Sequence, residues 1–352
     1  MRVIHIIDTL NMGGAEILLK NVVNALQDWQ HVVVFLTPPN SLANEFKGEV
    51  CFICLHHGGW KHSWRTIQRI KTVIKDFKPD LVHSNLLIAS IFARLATPAN
   101  LPLINTLHSI YSLDAFRKGK KSLWCEKLTL KKRHILIAVS NFVLQDYLAY
   151  VPFKGRCFVL YNFLPDEHLQ KKATPQTRDV LRCVAVGNLK EAKNYMYLLE
   201  VFAHLPNCTV HLDIYGEGPL RGIMEQKINE QSLPVVLKGQ HNDPVNIFKN
   251  YDLFLQASSH EGFGLSVIEA MATGLPTFLS DIPVFREITG GYAHFFPLQN
   301  AAEAARLLEQ LQANEKLCEF VSAGYDWCKR QYNAAAYKEQ LVGIYKKALT
   351  GE

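Results

Sequence analysis

The stretch SSHEGFGLSVIEAMATGLP, residues 258–276, holds the residues best suited to do chemistry. A strand-like run at 252–256 leads into Glu261, Gly262, Phe263 and Gly264, and a helical pattern opens near Leu265. Glycines let a backbone approach a ligand closely, and the first N–H groups of a helix have no internal acceptors. With the helix dipole added, such a junction suits an anion of the diphosphate class. Glu261 and Glu269 stand eight apart, one before the helix and one just past its first turn. Acids beside an anion site cannot hold the phosphate; they can accept hydrogen bonds from sugar hydroxyls. The plainer alternative is that Glu269 complements the dipole and that the glycines only shape a turn.

Such residues need rigid elements behind them, and the chain alternates short apolar runs with longer amphipathic ones. Strands are expected at 3–7, 32–36, 51–55, 81–83, 103–108 and 135–139, with helices at 15–26, 64–77, 86–95 and 122–132. The runs lack polar alternation, as a parallel sheet covered on both faces requires. Around 161–178 the pattern lapses into polar residues broken by Pro165 and Pro175, which places a linker there. Alternation then resumes with strands at 184–186, 210–215, 235–237, 253–256 and 277–279, and a last amphipathic helix covers 334–349. Two doubly wound α/β units in series follow, with ligands expected at the carboxyl ends of their strands.

A chain of 352 residues is too long for one ordinary core, and 48% hydrophobic with 20% charged residues is a globular balance. Eight cysteines in a chain of this size read as reduced thiols; Cys51 and Cys54 have knuckle spacing but no second pair to complete a zinc site. The N-terminal apolar run is too short for a signal peptide, and no run approaches the length that spans a bilayer, so a cytoplasmic protein is expected. The net charge of +6 is concentrated. Residues 117–133 carry Arg117, Lys118, Lys120, Lys121, Lys127, Lys131, Lys132 and Arg133 against one acid, Glu126. Beside Phe116, Leu123 and Trp124 this run could dock peripherally on the inner face of a membrane, or could simply be a solvated helix face. No nucleic-acid-binding motif accompanies the charge. The loop HHGGWKHSW, residues 56–64, lacks a carboxylate at metal-ligand spacing and is an aromatic candidate for acceptor contact.

Further blocks stand in order along the chain: NMGGAE at 11–16, PDLVHSN at 79–85, NTLHS at 105–109, AVSNF at 138–142, VGNLKEAKN at 186–194 and YGEGPLR at 215–221. With the paired glutamates, they make the whole chain resemble the retaining GT-B glycosyltransferases of the large fourth sequence family, the glycosyl transferases of group 1. The resemblance implies two Rossmann-like domains facing across a cleft. Residues 1–165 would form the acceptor side, 166–333 the donor-binding domain, and the helix at about 334–352 would pack back on the first. It implies transfer of a sugar from a UDP- or GDP-type nucleotide sugar to a hydroxyl acceptor, such as a surface or envelope glycan intermediate, lipid-linked or not.

Carried over position by position, Glu261 would bind hydroxyls of the donor sugar, and the backbone of Gly262, Phe263, Gly264 and Leu265 would cradle the diphosphate. Glu269 would hold the ribose, Lys193 would neutralise the diphosphate, and Gln240 and His241 would lie at the base. Gly13 and Gly14 would approach the donor phosphate, and His108 the donor sugar. The family carries Arg where this chain has Asn188, with Lys190 as a compensating cation. No Asp-x-Asp motif occurs, so no metal and no cofactor are expected, the nucleotide sugar being a substrate. Other outcomes compatible with these residues are a nucleotide-sugar-binding protein without activity, or a GT-B epimerase or phosphorylase. A dinucleotide oxidoreductase would need G-x-G-x-x-G after its first strand, where TLNMGGAE stands instead.

Overall fold

The computed structural model describes residues 1–351 except 114–119, 170–179, 206–208, 242–243 and 314–315. The chain divides into two compact units, Met1–Phe163 with Ala334–Glu352, and Leu164–Asn333. Leu164 belongs to the second unit because its N–H donates to Tyr332 O at 2.8 Å and it bridges Asn333. The part of the expected linker at 170–178 lies outside the described residues.

The first unit is built on seven parallel strands among the described residues: β1 Arg2–Ile7, β2 Gln30–Phe35, β3 Val50–Cys54, β4 Leu81–Asn85, β5 Leu103–Leu107, β6 Ile135–Ala138 and β7 Arg156–Val159. Their order is β3-β2-β1-β4-β5-β6-β7. Helices cover both faces, and the strands are largely buried and apolar, interrupted by buried His5, His31, His83, Ser84 and Asn105. Val3, Leu81 and Ile104 pack under the helices Gly14–Ala25 and Ala334–Thr350. Ile4, Ile6 and Val82 pack under Ser63–Phe77 and Leu87–Ala96 on the other face. The helix Lys120–Thr129 lies beside Leu87–Ala96. It stops three residues before the expected end because the His134 ring accepts the Lys131 N–H and forms a turn there.

The second unit has six parallel strands among the described residues: β8 Leu181–Val186, β9 Val210–Tyr215, β10 Val235–Gly239, β11 Leu253–Gln256, β12 Thr277–Ser280 and β13 His294–Phe296, ordered β10-β9-β8-β11-β12-β13. Its main core gathers Cys183, Ala185, Leu212 and Ile214 from the sheet with Tyr195, Leu198 and Phe202 from the helix Tyr195–Ala203.

Candidate active site

In each sheet the chain builds outward in one direction and then returns to build in the other. The reversal lies between β1 and β4 in the first unit and between β8 and β11 in the second. Loops leaving the carboxyl ends of those strands diverge and open a crevice, the usual ligand position in such sheets.

In the second unit the loop after β8 carries Lys193 and the loop after β11 carries Glu261. Lys193 Nζ lies 2.6 Å from Glu261 Oε1. The Ser258 hydroxyl donates to the same oxygen at 2.8 Å, while accepting from Gln256 Nε2 at 2.8 Å. Ser259 N–H donates to Ala192 O at 2.9 Å and fastens the two loops together. The lysine stem runs across Gly187, where an added Cβ would meet Lys193 Cε at 3.0 Å and Nζ at 3.3 Å. Tyr195 OH donates to Gly187 O at 3.2 Å; burial, and then the charge of Glu261, push its phenol well above the usual range, so it stays protonated.

Past Glu261 the helix Leu265–Ala272 opens from Gly264 at φ +102. A Cβ there would meet Phe285 Cε1 at 2.9 Å, so the position favours glycine by conformation and by space. Gly264 supplies no side-chain acceptor to the first N–H groups of the helix, and Val267 N–H bonds to Gly264 O at 3.0 Å. Glu269 stands one turn in, with its Oε1 4.0 Å from His168 Nδ1. A fixed ammonium, helix N–H groups and two flanking carboxylates are what a polyhydroxylated diphosphate ester requires: cationic and dipolar contacts for the phosphates, acceptors for hydroxyls.

Not every expected residue joins this group. Asn188 and Lys190 are exposed on the same loop, with Lys190 N–H bonded to Asn188 O at 2.8 Å, and it is Lys193 that reaches Glu261. Gln240 and His241 are exposed after β10, two strands from β8, and His241 meets the Tyr215 ring edge-on at 5.8 Å. Gly13, Gly14 and His108 belong to the first unit.

There, Gly13 caps the helix Gly14–Ala25, and a Cβ on it would collide with the buried Glu16 carboxylate, which accepts from the Thr9 hydroxyl at 2.9 Å. Asp8 Oδ1 accepts the Ala89 N–H at 2.8 Å in the first turn of Leu87–Ala96. A carboxylate thus occupies the opening of Leu87–Ala96, whereas Gly14–Ala25 and Leu265–Ala272 both open from a glycine without a side-chain cap. His108 Nε2 lies 2.9 Å from Asn85 Oδ1, so Nε2 carries the proton and donates. Burial lowers its pKa to about 3, keeping the ring neutral at physiological pH. Sequence reasoning missed Ser258, Tyr195, Asn85 and Asp8. Only Ser258, three residues before Glu261, left a usable signal.

Known proteins resemble this chain in sequence and fold. The family model described as Glycosyltransferase Family 4 matches residues 12–168, and that described as Glycosyl transferases group 1 matches residues 166–325. The putative glycosyltransferase EpsF of Bacillus subtilis is 23% identical over 316 residues, covering 80% of this chain and 79% of EpsF. The UDP-Gal:alpha-D-GlcNAc-diphosphoundecaprenol alpha-1,3-galactosyltransferase of Escherichia coli is 28% identical over 233 residues, 60% of each protein. The crystal structure of Anabaena Alr3699/HepE in complex with UDP-glucose superposes with a TM-score of 0.83 at 16% identity, over 99% of this chain and 100% of that one.

Proposed function

The chain belongs to the glycosyl transferases of group 1, and from that premise we propose that it is a retaining, metal-independent enzyme moving a sugar from a UDP- or GDP-type nucleotide sugar to a hydroxyl acceptor. The observation that carries this reading is the Lys193 ammonium held 2.6 Å from Glu261 on the loop leading into the Leu265–Ala272 helix. Diphosphate binds across that helix opening. As the bond between the sugar C1 and the phosphate oxygen breaks, the electron pair stays on the phosphate, and Lys193 with the helix N–H groups stabilises it. The acceptor oxygen bonds to C1 from the same face, and its proton passes to the departing diphosphate. Glu261 accepts hydrogen bonds from the donor sugar, Glu269 from the ribose, and the Gln240–His241 loop flanks the base. Lys190 supplies the outlying positive charge that Asn188 does not. By family resemblance alone, Gly13, Gly14 and His108 are assigned contacts with the reacting donor.

The acceptor we propose is a cytoplasmic intermediate of a surface glycan, supported by relatives such as the E. coli galactosyltransferase, whose name specifies a diphosphoundecaprenol-linked sugar. The test is a panel of nucleotide sugars scored by thermal shift, followed by product analysis with chelator present. One donor should raise the melting temperature and give a product with its anomeric configuration kept. An inverted product, or activity abolished by chelator and restored by a divalent metal, contradicts the reading. Asn188 in place of Arg favours one second reading, a binder without transfer, which tight nucleotide binding with neither transfer nor hydrolysis would establish.

A further inference from the structure

The helix Lys120–Thr129 buries an acid and exposes two large apolar side chains. On a surface helix the charged side chains face water and the apolar ones face the core. Here Glu126 is wholly buried, its Oε2 2.8 Å from the equally buried Arg94 Nη1 of the neighbouring helix and 2.5 Å from Tyr147 OH. Two residues either way is about 200° around a helix. There stand Trp124, 67% exposed, and Leu128, 63% exposed. The buried ion pair locks this rotation, because turning Trp124 inward would pull Glu126 away from Arg94. Leu123, which the sequence placed with Trp124 on the docking face, packs inward beside Tyr111 and Tyr147.

This apolar stripe does not stand alone. The helix Leu87–Ala96 lies between Lys120–Thr129 and Ser63–Phe77 on the same side of the sheet and adds exposed Leu95. At the start of Ser63–Phe77, Trp60 and Trp64 are 57% and 68% exposed. All three strongly exposed tryptophans therefore belong to one helix layer, while Trp29 and Trp327 are packed against Tyr345 and Tyr292. Lys127, Lys131, Lys132 and Arg133 are exposed around the first stripe, and Lys61 and Arg65 around the second; none has an ion-pair partner among the described residues. Of the basic run, 117–119 lie outside the described residues.

We infer that this helix layer of the first unit docks on an anionic lipid bilayer, with Trp124, Leu128, Trp60 and Trp64 in the headgroup region and the lysines and arginines against lipid phosphates. Tryptophan favours the boundary between headgroups and chains, and basic side chains are drawn to anionic leaflets. A second copy of the chain is the poorer occupant: a two-fold contact over the stripe would press its uncompensated cations against their own images. The inference stands on the first unit alone and goes beyond the reading of donor chemistry.

Co-sedimentation of the full chain with phosphatidylcholine vesicles, with and without phosphatidylglycerol, tests it. Binding is expected with phosphatidylglycerol only and should weaken as salt rises. The Trp124→Ser, Leu128→Ser pair should lower partitioning on the order of tenfold or more. Lys131→Gln and Lys132→Gln should lower it roughly fivefold each. Ile223→Ser, at an exposed apolar side chain of the second unit, should change nothing. Thermal melts and nucleoside diphosphate binding should stay at wild-type values in all of these variants, which separates a docking defect from misfolding or a failed donor site. The inference is overturned by no binding to phosphatidylglycerol vesicles, by undiminished binding of the Trp124→Ser, Leu128→Ser protein, or by a soluble dimer that this pair dissociates.

Discussion

Replacing Lys193 with alanine removes the one cation held against Glu261 among the described residues, and the structure sets how much that should matter. The two side chains are 20% and 15% exposed, so the pair sits in a partly dry crevice at an effective dielectric of about 20. A unit charge about 4 Å away then contributes about 4 kcal/mol, and losing one preorganised electrostatic donor typically costs about 2.7–4 kcal/mol. For Lys193→Ala, kcat should fall between roughly a hundredfold and a thousandfold. Nucleotide affinity should fall less, because the diphosphate is already anionic in the ground state and gains a further negative charge only as the glycosyl bond breaks. Stability should barely change: a partly exposed ion pair contributes about 0–1 kcal/mol, and Glu261 keeps the Ser258 hydroxyl. Lys193→Arg should recover part of the rate, since it restores charge with a different reach. The assay is release of nucleoside diphosphate at saturating donor and acceptor, with a thermal melt of each variant. A Lys193→Ala enzyme within about threefold of wild-type kcat, or one whose loss lies wholly in KM, would refute the reasoning.

Gly264→Ala should both destabilise the second unit, by roughly 1–3 kcal/mol for a strained φ of +102 with a Cβ 2.9 Å from Phe285, and weaken nucleotide binding; denaturant melts and calorimetric titration check this. Arg94→Met should cost about 3–5 kcal/mol by leaving Glu126 buried without a counter-charge, and Arg94→Met with Glu126→Leu should restore most of it. His83 is buried neutral between Tyr345 OH and Thr106 Oγ1, each at 2.6 Å, and burial lowers its pKa from 6.5 to about 3. Between those values the unfolded chain binds the extra proton and the folded one does not. Stability should therefore fall as pH drops from about 6.5 toward 3, by up to about 1.4 kcal/mol per unit from this group, and His83→Asn should flatten that slope.

Much of this molecule was legible in its sequence, and the rest was hidden for physical reasons. Strands such as Gln30–Phe35 and Leu181–Val186 announced themselves because sheets covered on both faces need largely apolar runs. β7 and β13 escaped notice because Arg156–Val159 and His294–Phe296 are short edge strands of four and three residues, too brief to show a period. The opening of the Leu265–Ala272 helix was readable from local chemistry, since glycine, acid and helix start are contiguous. The contact between Lys193 and Glu261 was not, because it arises from the return of the chain to β11 beside β8. His5, His31 and His83 looked like ordinary strand members and form a buried row, with His5 Nε2 3.1 Å from His31 Nδ1. Glu126 read as the lone acid of a solvated basic run, and its burial follows from Arg94 on another helix, a pairing that no local pattern encodes.

A crystal structure with the preferred nucleoside diphosphate bound tests the central claim most directly. The pyrophosphate should lie at the opening of the Leu265–Ala272 helix, with Lys193 Nζ turned from Glu261 onto a phosphate oxygen and Glu269 on the ribose. Pyrophosphate at the Asp8-capped helix of the first unit, or anywhere else, would contradict it.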